Sequence, residues 1–98
     1  MYRIEILPAT KDDIQQAINW YNLNQKNLGL RFLRALQTEV KIIQKNPTAF
    51  INRYNEIHTL VMSNFPFMIH YLIEEELKKI IVVAVFHTSL NPKNWNNR

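Results

Sequence analysis

The run Ile80-Ile81-Val82-Val83-Ala84-Val85-Phe86 constrains this chain more than any other stretch. It is of strand length, far short of the roughly 20 apolar residues that cross a membrane. It is also apolar on both faces, so it is expected inside a sheet rather than at its edge. A second apolar segment, residues 67–74, precedes it, and the charged residues 75–78 between them read as a hairpin turn. The last two strands are therefore expected over 67–74 and 79–88, with another before them over 56–62.

The front of the chain reads differently. Residues 2–7 alternate, with Tyr2, Ile4 and Ile6 against Arg3, Glu5 and Leu7, until Pro8 stops the strand. Thr10 suits a helix N-cap, with Asp12 and Asp13 in the first turn. Ile14, Ala17, Ile18 and Tyr21 then form one apolar stripe at helical spacing. A second helix is expected over 28–45, with Phe32, Leu33, Leu36, Val40 and Ile43 as its stripe. Asn46-Pro47 ends it, because a residue before proline is pushed out of the helical region. Residues 48–55 read as a connector packed through Phe50 and Tyr54.

The order is thus β-α-α-β-β-β in one domain over 1–98. The expected fold is α+β, a two-helix hairpin packed on one face of a four-stranded, mainly antiparallel sheet, with the other face largely open. Pairing through the 75–78 turn puts Phe67, Ile69 and Tyr71 on the core face with Val82, Ala84 and Phe86. The opposite face then carries Met68, His70 and Leu72 beside Ile81, Val83, Val85 and His87. An open apolar face implies a protein ligand, an extended or helical segment. A slip of one residue would exchange the two faces.

Charge and rare residues narrow the chemistry. Twelve Lys and Arg against eight Asp and Glu give a net charge of +4. The stretch from Leu77 to Arg98 contains Lys78, Lys79, Lys93 and Arg98 and no acid, which suits either an anionic partner or plain solvation. The chain has no cysteine, which excludes thiolate catalysis and Cys-based zinc sites and favours a reducing compartment. MYRIEILPAT lacks the apolar run of a secretory leader, so a cytoplasmic protein without a membrane span is expected.

Gly29 is the single glycine, so no Gly-rich phosphate loop can form and no cofactor is expected. Three histidines, His58, His70 and His87, are either structural hydrogen-bonding groups or acid–base candidates. His87, at the end of the most apolar strand, is the strongest of them. No H-x-x-x-H or H-E-x-x-H spacing occurs, so no metal site is expected. Trp20 and Tyr21 read as core. Trp95, in the polar tail with Lys93, either docks onto the open sheet face or contacts a partner.

Taken in order, several short motifs resemble the RelE/ParE toxins of bacterial type II toxin–antitoxin modules, and most of all their ParE-like, plasmid-stabilisation branch. They are Ala17 with Trp20-Tyr21, Gly29-Leu30-Arg31-Phe32, Asn46-Pro47, Phe65-Pro66-Phe67, and Ala84-Val85-Phe86-His87-Thr88-Ser89. Asn91-Pro92, Trp95 and Arg98 complete the set, which spans essentially the whole chain. The resemblance implies growth inhibition, a cognate antitoxin that wraps the toxin, and a hetero-oligomer with it. ParE-like members inhibit DNA gyrase by binding, and this is the expected activity. RelE-like members are ribosome-dependent mRNA endoribonucleases, the alternative target being ribosome and mRNA; a further alternative is a non-toxic binding domain that retains only the fold.

By that analogy His87 would be the acid–base group, and Arg53, Lys79 and Arg98 the phosphate contacts. His58, Lys93 and Trp95 join them as candidate target-binding residues. The antitoxin face would be Met68, His70, Leu72, Ile81, Val83 and Val85. Many relatives have arginine at the positions of His58 and Leu90. Two guanidinium groups that would hold phosphate are therefore missing, which favours binding over cutting.

Overall fold

The computed structural model describes residues 1–97. Its elements are β1 (Arg3–Ile6), α1 (Pro8–Asn24), α2 (Leu28–Lys45), β2 (Asn52–Tyr54), β3 (Ile57–Val61), β4 (Phe67–Glu74) and β5 (Lys79–His87). Short 3₁₀ turns occupy Pro47–Ala49 and Pro92–Asn97. One sheet has the order β1-β5-β4-β3-β2. β1 runs parallel to β5, and the remaining pairs are antiparallel. The all-apolar strand is thus interior, flanked by β1 and β4.

The sheet has five strands where four were expected. The extra one, β2, falls within the stretch expected to be a connector. It is three residues long and meets β3 with a register irregularity, Asn52 opposite His58 and Tyr54 opposite Ile57. Three residues carry too little alternation to announce a strand.

The helices cover one sheet face. Phe32, Leu36 and Ile43 of α2 and Ala17 and Tyr21 of α1 pack with Ile69, Tyr71, Ile80, Val82 and Val85. Phe32 and Tyr21 meet Phe65 and Phe67 in an aromatic cluster with centroids 5.1–6.1 Å apart. Such pairs contribute roughly 0.5–1.5 kcal/mol each beyond burial. Trp20, expected in the core, instead points outward at 59% exposure and touches Tyr21 edge-on.

The β4–β5 pairing contains a bulge. His70 pairs with Ala84, but Tyr71 pairs with Val82, so Val83 is an extra residue. Below the bulge the expected faces hold, and Val82 and Ile80 lie on the helix side. Above it they are exchanged. Val85, opposite Ile69, is buried at 2% exposure in the helix-side core, and His87 pairs with Phe67 on that face. Ala84 and Phe86 pass to the far face, opposite His70 and Met68. The expectation that Val85 faces a partner is thereby corrected. One inserted residue reverses every side chain beyond it.

α1 begins earlier than expected, at Pro8, with Leu7 as an uncapped N-cap. Thr10 is no cap but a buried residue whose hydroxyl donates to Val82 O at 2.9 Å. At the far end, Asn27 takes the left-handed conformation (φ 65°) to turn the chain into α2. Gly29 then donates its N–H to Asn22 Oδ1 at 2.8 Å. A Cβ at this position would lie 2.6 Å from Ile18 O and 2.7 Å from Asn22 Oδ1.

Gly29→Ala therefore forces the helical hairpin apart and breaks the Asn22 bond. Urea unfolding should show a loss of about 2 kcal/mol or more, well beyond an ordinary surface change. A variant as stable as the parent would refute the close approach.

Candidate functional site

Two regions collect the polar side chains. The first is a cleft of about 400 Å³ between α1 and the upper end of β5, lined in part by Asp13, Gln16, Trp20, Tyr21, Phe67 and His87. It exists because β1 ends at Ile6, opposite Val82, leaving the upper half of β5 without a strand neighbour on that side. α1 takes over there. Asp13 Oδ2 accepts the N–H of Val85 at 3.1 Å. Asp13, expected as a helix-start charge, thus closes a sheet edge.

His87 is exposed at the mouth of this cleft, its ring edge-on to Phe67 at 5.2 Å. Its Nδ1 accepts the backbone N–H of Ser89 at 3.1 Å and lies 2.8 Å from the Ser89 hydroxyl. The turn is closed by Leu90 N–H donating to His87 O.

The second region is the far sheet face. The last 3₁₀ turn lies over it, and Trp95 meets His70 at 4.8 Å and Tyr54 at 5.2 Å between centroids. The Tyr54 hydroxyl and His70 Nδ1 share a hydrogen bond of 2.9 Å, and Phe86 packs against His70 at 5.1 Å. Asn55 Nδ2 donates to Asn96 Oδ1 at 3.0 Å, tying the tail down. Trp95 is therefore docked on the sheet. His70 is 0% exposed beneath it. As an open partner-seeking residue His70 is corrected, because the chain's own tail covers it. Met68, Leu72, Ile81 and Val83 remain half-buried on this face.

The expected phosphate ligands are scattered. Lys79 pairs with Glu5 at 2.6 Å, at the opposite end of β5 from His87. At strand rise that separates the two by roughly 26 Å. Arg53 is exposed on β2 and donates from Nε to Thr59 Oγ1 at 2.9 Å. It lies three strands from β5, roughly 14 Å across the sheet. His58 Nδ1 donates to Phe50 O at 2.8 Å, and its ring stacks on Tyr71 at 5.3 Å, so it is built into the core margin. Lys93 is exposed, its N–H held by Asn91 Oδ1 at 2.9 Å. Arg98 lies outside the described residues.

Among the described residues no group of three or more His, Cys, Asp or Glu side chains is placed to hold a metal ion. No helix among them is long and apolar enough to cross a membrane. What the geometry offers is two shaped surfaces, a cleft with aromatic walls and a half-covered apolar sheet. Sequence reasoning missed Asp13, Gln16 and Trp20 as cleft residues. The one available signal was Trp20 itself, which lies within the span of the apolar stripe of α1 without belonging to it.

No protein-family model and no curated protein matches the sequence. Solved structures do match the fold. A chain of the chromosomal ParDE toxin–antitoxin system of P. aeruginosa superposes with a TM-score of 0.77 at 16% identity, covering 89% of this chain and 96% of that one. The isolated E. coli RelE toxin superposes with a TM-score of 0.68 at 9% identity, covering 99% and 95%. The chain has the fold of the RelE/ParE toxins over almost its whole length.

Two measurements check this geometry. Trp20 is exposed and Trp95 is packed, so Trp20→Phe should leave a blue-shifted fluorescence that iodide quenches poorly, and Trp95→Phe the reverse. Similar quenching in both variants would undo the docked tail. Tyr71 is fully buried, donates to Pro47 O at 2.6 Å, and burial pushes its hydroxyl up to about 12. A pKa raised on folding favours the native state below the unfolded value near 10, and that contribution is lost as pH rises toward 12. Stability should fall by on the order of 2 kcal/mol across that window, and Tyr71→Phe should flatten the fall. An equally steep fall in the variant would contradict the assignment.

Proposed function

We propose that the chain is the toxin of a type II toxin–antitoxin module, which inhibits growth by binding an essential target and is neutralised by a cognate antitoxin. The observation that carries this is the fold match to the P. aeruginosa ParDE chain, which spans nearly all of both chains. The target is DNA gyrase, and the action is binding rather than cleavage.

The placement of charge supports binding over cutting. Phosphoryl chemistry needs cations converging on one reacting group. Here Lys79 is ion-paired with Glu5, far from His87, and Arg53 is engaged with Thr59. The antitoxin lies on the far sheet face across Met68, Leu72, Ile81 and Val83, whose half-buried apolar surface a partner would finish covering.

Induced expression should arrest growth, and co-expression of an adjacent antitoxin frame should relieve it. Purified protein should inhibit supercoiling by gyrase while mRNA in a translating extract stays intact. Unaffected supercoiling at high micromolar protein would sink the gyrase assignment. Codon-position cleavage lost in His87→Ala would replace it with the ribonuclease, and expression without arrest would remove the toxin itself.

A further inference from the structure

The His87–Ser89 turn says which proton His87 carries. A backbone N–H can only donate, so Nδ1, which accepts the Ser89 N–H at 3.1 Å, must present a lone pair. The Ser89 hydroxyl, 2.8 Å away, can donate to the same nitrogen. The neutral ring therefore carries its proton on Nε2. A neutral histidine acts as a base through its unprotonated nitrogen, and here that nitrogen is occupied by its own turn. What His87 offers outward is an N–H.

We infer that Ser89 is a positioning residue that holds His87 as the Nε2–H tautomer, and that His87 uses this N–H to bind an acceptor oxygen of the protein target. The acceptor is a carbonyl or carboxylate seated at the mouth of the α1–β5 cleft. Its walls, including Trp20 and Phe67, supply apolar contact beside one directed hydrogen bond. This deepens the proposed binding activity and rests on it for the identity of the partner. The tautomer itself does not.

The test has two arms. Nitrogen-15 NMR of the folded protein, recorded well above neutral pH, should show His87 protonated on Nε2. A ring protonated on Nδ1 overturns the inference whatever the protein does in a cell. Glutamine places an amide nitrogen near the position of Nε2, and asparagine near that of Nδ1. His87→Gln should therefore keep growth arrest and gyrase inhibition within about twofold, while His87→Asn should lose roughly tenfold. Ser89→Ala keeps the backbone N–H that fixes the tautomer and loses only the hydroxyl contact, so it should leave His87 protonated on Nε2 and the activity of the parent and of the His87→Gln protein within about twofold. Any other ranking overturns the donor role. If the parent protein neither arrests growth nor inhibits gyrase, the toxin reading fails, and the NMR arm still decides the tautomer.

Discussion

The seating of α1 on β5 is the constraint on which the rest of the molecule depends. Val82 O receives two donors, Leu7 N–H at 3.4 Å and the Thr10 hydroxyl at 2.9 Å. Three residues on, Val85 N–H is taken by Asp13. Between these anchor points lies Val83, the bulged residue. A strand edge that stops halfway would leave buried backbone groups unsatisfied, at about 1–3 kcal/mol each. Three positions at the start of one helix satisfy them instead. The same contacts fix the helix direction, carry Ala17 and Tyr21 onto Phe67, and open the cleft where β1 runs out.

The bulge then divides the work between the two faces. Without Val83 as an extra residue, Val85 would stand on the far face and Phe86 in the helix-side core. With it, a small residue, Ala84, lies opposite His70, which leaves room for the Trp95 ring over that histidine. Trp95 buries its indole N–H without a hydrogen-bond partner among the described residues. Ring packing and the Asn55–Asn96 bond must therefore outweigh that cost to hold the tail in place.

Much of this was legible in the sequence, and what was not has a physical reason. The bounds of α2 and β4 follow from an unbroken apolar stripe and a strand stopped by charge, and both agree with the structure. β5 was recognisable as interior because its run from Ile80 to Phe86 is apolar throughout. That same uniformity hid its register: a run with no polar residue offers no alternation from which to detect a bulge. Thr10 and Asp13 read as helix-start residues because Thr followed by acids has that composition. Only the fold reveals that their side chains serve a strand 72 residues away. Candidate site residues were the least legible. Residue type names a chemistry, but convergence is a property of the folded sheet.

That distinction bears on function more than any single residue does. A basic chain with histidines on its strands has the ingredients for cutting RNA. Ingredients that neutralise one another locally do not form a field at one point. Lys79 has its partner one strand away in Glu5, and Lys78 has Glu75 within its own turn at 2.7 Å. Exposed pairs of this kind contribute only about 0–1 kcal/mol to stability. Their larger effect is to disperse the positive charge. The sites left with defined geometry, the α1–β5 cleft and the far sheet face, are shaped instead by aromatic rings and single directed hydrogen bonds.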